Sequence, residues 1–426
     1  MQHPSTTDTG GAHPGDSKGK PRLGLRLATF VSLRYRDYRY LFLSIMVTAV
    51  GMWMGQIAMG WLVWELTEDP FMLGAVNGVR GVAFLVLGPW AGVAADRMDR
   101  KRLMFLSQGW VMLLSGVLSA LILTGHIQVW HLFAFSLLTS MGEAFTQPVR
   151  QTLIPSLVPR ADLMNAVALQ SAAFNSMRVI GPSLGGVLVA SIGAGGVFGI
   201  RTAGFILVLA LLGLVRVPHQ EAVAQRKSAG HDLIEGLHYI WSSRTLSWLI
   251  LLALIPMVFA FPFQSLMPVF ADAVLHVGPQ GYGLLVSFIG AGALAGTLCV
   301  ASLTGFERKG MLLLLSGVSL GTALFLFSRS DWMPASLVLG ILIGGSQMTY
   351  MAMTQTLLHM NVTDAMRGRV MSIYMLDHGL TPVGALLAGG VASLLGAPFA
   401  VAAMGSAVAA LAIIALLRVP HIRRLG

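Results

Sequence analysis

Five ionisable side chains stand inside otherwise apolar runs of this chain: Arg80, Glu143, Arg178, Asp377 and His378. A charge at bilayer depth costs about 2.5–3.5 kcal/mol on insertion scales, so each is a candidate for function. Glu143, in SMGEAF, and Arg178, in NSMRVI, lie at similar distances from a turn near Pro159, which puts them at similar depth on antiparallel neighbours. Two readings follow: a permanent ion pair tying two helices together, or a carboxylate whose proton affinity Arg178 tunes, so that Glu143 carries a proton. Asp377, in YMLDHGLTP, is the second proton-coupling candidate, and its neighbour His378 is a candidate cavity residue. Arg80 reaches a comparable depth and could pair with Asp377.

These charges are placed by long apolar elements. The chain has 426 residues, 55% of them hydrophobic and 11% charged, where a soluble domain carries about 25% charge. Twelve apolar runs fall near 40–66, 71–95, 103–124, 129–155, 164–191, 195–216, 245–271, 281–303, 310–328, 332–358, 367–394 and 397–417. Runs of this length cross the hydrocarbon core, and lipid leaves the backbone no option but the helix. The expected fold is therefore all-α and integral to the membrane, with twelve transmembrane helices. Of 28 Lys and Arg, all but Arg329 and the intraspan Arg80, Arg178 and Arg201 count on one side of the spans. Positive charge stays inside, so both termini are expected in the cytoplasm. The net charge of +10 is thereby a topology signal and implies no nucleic-acid partner. Cys299 is the single cysteine, and no phosphate loop, His-Glu-x-x-His or nucleophile elbow occurs. The sequence argues against an enzyme, a metal site or a cofactor.

The longest non-apolar interior stretch, 217–244, divides the runs six and six, and the halves echo each other. Gln151-Thr152-Leu153 precedes Gly185-Gly186-Val187 by 34 residues, and Gln355-Thr356-Leu357 precedes Gly389-Gly390-Val391 by the same 34. The expected organisation is a mostly disordered cytoplasmic tail (1–39), a six-helix bundle (40–216), a central cytoplasmic loop (217–244), and a pseudo-symmetric second bundle with a short basic tail (245–426).

Between the second and third runs lies GVAADRMDRKR, with Gly92, Asp96, Arg97, Arg100 and Lys101. The fifth run holds RVIGPSLGGVL, with Gly181, Pro182, Gly185 and Gly186. Together these resemble the loop signature of the major facilitator superfamily and the fifth-span motif of its drug/proton antiporters. Ala94 and Asp99 depart from the loop signature, and Ala168 and Met177 replace earlier glycines of the span motif. Asp99, with TDAMRGRVMSIY at 363–374, is similar to the exporter branch that handles drugs and siderophores. The resemblance implies proton-coupled efflux of small amphipathic organic molecules by alternating access in a prokaryotic cytoplasmic membrane. It also implies a cytoplasmic gate at the loop motif, where Asp96 would face the N-terminus of the eleventh span beside Thr363. A functional monomer in the lipid bilayer is expected, exchanging substrate for protons. A lysophospholipid-type flippase and a metabolite uptake permease remain alternatives on the same fold. Pro256, Pro262 and Pro268 predict an interrupted seventh span. Gln56, Trp53, Gln264, Gln347 and His378 are the candidate cavity residues, a set with few fixed charges that suits an amphipathic ligand.

Overall fold

The computed structural model describes residues 28–81, 99–216, 229–303, 306–376 and 380–425, which are helical apart from short connections. A 3-10 turn (Ala28–Arg34) leads into α1 (Arg36–Thr67) and then α2, described over 70–81. There follow α3 (Arg100–Leu123), α4 (Val129–Leu157) and α5 (Leu163–Leu214). The segment 217–244, expected as a loop, carries a helix, α6 (Ala229–Ser242), with Ile240 buried and Trp241 exposed. The second half comprises α7 (Arg244–Phe259), α8 (Met267–Val269), α9 (Gly278–Ser302), α10 (Lys309–Ser328) and α11 (Met333–Asn361). It ends with α12 (Asp364–Leu376), α13 (Thr381–Leu395), α14 (Ala397–Arg418) and the short α15 (Pro420–Arg423).

Among the described residues eight helical segments are long and apolar enough to cross a membrane. One of them, α5, covers two of the apolar runs. Its 52 residues fold back at Gly193, whose φ of 70° and ψ of 170° belong to a glycine. The consequence is visible in α1: Gly185 and Arg201, eight residues to either side of Gly193, both rest on it, near Met54 and Gly55 respectively. Most of the second apolar run lies outside the described residues, as do Gly92, Asp96 and Arg97 of the loop motif. The prolines of the seventh span act as expected. Helix α7 gives way to a 3-10 segment (Phe261–Leu266), then α8, then a π turn (Phe270–Val274).

Polar bonds fasten the end of the structure that bears the described termini. Tyr38 donates to the Ala166 carbonyl (2.8 Å), and Ser32 Oγ bonds Asn165 (2.8 Å). Asp99 caps α3 by accepting from the Arg102 amide (2.7 Å), which gives the signature-breaking aspartate a local purpose. Lys101 donates to the Gly213 and Val215 carbonyls (2.9 and 2.6 Å), a cation on the last turn of α5.

At the opposite end the two halves meet through glycines. A Cβ on Gly186 of α5 would lie 2.5 Å from the Pro279 carbonyl oxygen and 3.0 Å from Gly283 Cα of α9. A Cβ on Gly389 of α13 would lie 2.8 Å from the Pro70 oxygen and 3.3 Å from Gly74 Cα of α2. Gly186 and Gly389 both belong to the repeated Gly-Gly-Val segment, although in the repeat register Gly389 corresponds to Gly185, so each half contributes a glycine of that segment to a close backbone contact. Close approach of small residues is how helices pack without a hydrophobic driving force. Ser183 Oγ to Ser287 Oγ (2.7 Å) and Trp64 Nε1 to Asp272 Oδ2 (2.8 Å) add hydrogen bonds between the halves. Since backbone opposes position 186, Gly186→Val should force α5 and α9 apart. In a Cys299→Ser background, Ser287→Cys should react faster with a water-soluble maleimide when Gly186→Val is present. An unchanged rate would show that this contact does not hold the halves together.

Candidate functional site: a charged cavity between the halves

Midway along the helices a cavity of about 400 Å³ is walled by α1, α2, α3, α4 and both limbs of α5, with α13 of the second half closing one side. Among the described residues its charged lining comes from the first half: Arg80, Glu143, Arg150 and Arg201. Thr48, Asn77, Gln108, Ser140 and Thr146 add uncharged polar groups, while Phe174, Phe205 and Met52 supply apolar wall. Thr381, Pro382 and Ala385 face them from α13.

Glu143 is the hub. Its Oε2 accepts from Arg80 Nη2 at 2.7 Å, and its Oε1 lies 3.7 Å from Arg201 Nη2. Arg201 is 7% exposed and is framed by the rings of Phe205 and Phe135, 5.5 and 5.9 Å from its guanidinium carbon. Two glycines of α1 make the room it needs. A Cβ on Gly55 would fall 2.7 Å from Arg201 Nη1, and one on Gly51 3.4 Å from its Cγ. Arg150, also 7% exposed, stands two helical turns beyond Glu143 on the same face of α4. The Nε atoms of Arg150 and Arg201 and the Oε1 of Gln108 are buried with no hydrogen-bond partner.

The expected pairing of Glu143 with Arg178 is not what forms. Arg178 donates weakly to Met348 Sδ (3.9 Å) on α11 and sits 5.9 Å from the Trp53 ring centroid. Equal depth on neighbouring helices left open which face each residue occupies, and the α5 face bearing Arg178 turns toward α1 and the second half. Arg80 is engaged by Glu143; Asp377 and His378 lie outside the described residues. Gln56, Trp53, Gln264 and Gln347 do not line this cavity. Gln347 is buried, and Trp53 packs beneath Gly181, where a Cβ would come within 2.6 Å of Trp53 Cβ. The cavity is thus charged, contrary to the expectation of few fixed charges. Sequence reasoning passed over Arg150, counted with the cytoplasmic cations, and Arg201, noted inside a span but given no role. The seven-residue spacing of Glu143 and Arg150 was the available signal.

Residues 27–425 match the family of transmembrane secretion effectors. The chain belongs to that family, within the major facilitator superfamily. The staphyloferrin A transporter of Staphylococcus aureus is 27% identical over 82% of this chain and 88% of its own. The enterobactin exporter EntS of Shigella boydii is 26% identical over 91% and 92%, respectively. The multidrug efflux pump Tap of Mycolicibacterium fortuitum is 23% identical over 80% and 85%. Among solved structures, an inward-facing, occupied bacterial homologue of the lysosomal transporter Spinster has a TM-score of 0.71 at 16% identity, covering 91% of this chain and 98% of that one. A D-xylose–proton symporter has a TM-score of 0.66 at 13% identity over 89% and 97%. The chain is accordingly a multi-pass protein of the bacterial inner membrane, and a transporter, not an enzyme.

The Arg201 seat yields a direct test. Gly55→Ala would displace the buried tip of Arg201 from its seat, so it should lower the unfolding temperature of the detergent-solubilised protein. Gly213, with nothing within 4 Å of a built Cβ, is the control, and Gly213→Ala should be neutral or slightly stabilising. Equal thermal unfolding temperatures for the two variants would contradict the seat.

Proposed function

We propose that this transporter exports small organic molecules of the drug or siderophore class in exchange for protons, by alternating access of a central cavity. The observation that carries the reading is the charged cavity itself. It lies between the halves, is lined by one carboxylate engaged with two arginines, and is bounded toward one end by the paired glycine contacts. The named activities of the staphyloferrin, enterobactin and multidrug relatives support the substrate class, and those of the enterobactin exporter and the multidrug efflux pump support the outward direction.

In this reading the chain crosses twelve times as two six-helix bundles, with both termini in the cytoplasm, and the bundles rock about the cavity. The glycine-closed end is then external, so the form described here opens inward. Glu143 is the proton carrier. It is the only carboxylate among the described residues lining the cavity, and its contacts with Arg80 and Arg201 can change as the site rearranges. Arg178 contributes through Trp53 and Met348, at the join between the halves. Asp377 is a second carboxylate candidate, and Asp96 with Arg97, Arg100 and Lys101 forms the cytoplasmic gate.

A carrier must lose and regain its proton, whereas a structural carboxylate need only be polar. In inverted membrane vesicles energised with a proton gradient, Glu143→Gln should abolish the internal pH change evoked by transported drugs or siderophores. Counterflow exchange of the same compound across de-energised vesicles should persist. Full gradient-driven transport by Glu143→Gln would exclude Glu143 as carrier.

A further inference from the structure

We infer that the ligand of this cavity is an organic anion with an apolar body, its carboxylate or equivalent group seated between Arg150 and Arg201. The inference rests on reading the cavity as the transport site, and it names the chemistry that site selects.

Three guanidiniums and one carboxylate among the described residues line the cavity. Glu143 is committed to Arg80 at 2.7 Å and reaches Arg201 only at 3.7 Å. Arg150 makes no hydrogen bond or ion pair with any described residue, although it is nine-tenths buried and its Nε is sealed from solvent without an acceptor. Arg201 Nε is in the same condition. A buried guanidinium without an acceptor is costly, and charge-assisted bonds to an anion are the strong way to satisfy it. Asp377 lies outside the described residues, yet counting it as ionised would still leave the cations in excess.

The apolar part of the ligand has a place as well. A second cavity of about 350 Å³ between α1 and the returning limb of α5 shares Thr48, Arg201 and Phe205 with the first. Its other walls are apolar side chains or glycine, including Leu43, Met46 and Val50. Arg201 therefore lines both a polar cavity and a neighbouring apolar one. A cationic drug would add to an excess of positive charge, and a neutral one would bring acceptors but no compensating charge.

The probe is phthalate, an aromatic dicarboxylate, compared with its neutral dimethyl ester and with the cation trimethylphenylammonium. Binding is measured by calorimetry on the full chain in detergent, with no gradient present, so a failure of proton coupling would not affect the result. Wild-type protein should bind phthalate about tenfold or more tighter than either comparison compound. Arg150→Gln should weaken phthalate about tenfold or more, as loss of a charge-assisted bond does. Arg150→Lys, which keeps the charge and loses the fork, should fall between them. Thermal unfolding of each variant establishes that it is folded. The inference is overturned if folded wild-type protein fails to bind phthalate, if the ester or cation binds as tightly, or if Arg150→Gln leaves phthalate affinity unchanged. Loss of phthalate binding alongside intact drug-evoked pH changes would overturn the anion site and leave the exporter reading standing.

Discussion

A guanidinium buried at mid-membrane depth is the constraint from which much of the first half follows. Arg201 cannot reach water by snorkelling, as a residue near a helix end can. It must therefore be compensated where it stands. Glu143 supplies part of the charge, the rings of Phe135 and Phe205 frame the cation, and Gly51 and Gly55 let α1 close over its stem. Glu143 and Phe135 stand on α4 and the two glycines on α1, so seating one side chain fixes α1 and α4 against the returning limb of α5. The same seating turns Glu143 toward Arg80 on α2, and the residue-lined space left between them is the cavity.

The join between the halves has a different character. Among its close contacts are backbone against backbone at Gly186–Gly283 and Gly74–Gly389, one from each of the two repeated Gly-Gly-Val segments. No ion pair crosses between the halves among the described residues; the charged partners of Glu143 all stand in the first half. Separating glycine-lined surfaces loses many small dispersion contacts but uncovers no buried charge. Such a join suits a protein that must open one end and close the other. If the ligand is an anion, its outward movement is further favoured by an interior-negative potential, by about 2.3 kcal/mol per charge per 100 mV.

The sequence made one scale of this legible and concealed another. Apolar runs marked where helices lie, as α9 (Gly278–Ser302) against 281–303 and α10 (Lys309–Ser328) against 310–328 show. Proline spacing announced the broken seventh span, and the loop and fifth-span motifs pointed to the superfamily. Depth along a helix was also readable, since rise per residue is constant. Direction around the helix was not, because a span apolar on most faces has no periodic stripe to orient it. Arg178 consequently seemed placed for Glu143 when its face turns toward Trp53 and Met348. The glutamines seemed suited to a cavity they do not line. Arg150 was hidden for another reason: close to a helix end, it counted as one more cytoplasmic cation.

Glu143 and Arg201 act as one unit in this structure, and a double-mutant cycle on thermal stability in detergent measures that coupling. Glu143→Gln alone should lower the unfolding temperature while leaving the protein folded, because it strips compensation from a buried cation, and Arg201→Met in the same chain should recover much of the loss. The predicted coupling is about 1–3 kcal/mol. Single effects that add to within about 0.5 kcal/mol would mean that the two residues are merely neighbours, and that something other than their charges shapes the cavity.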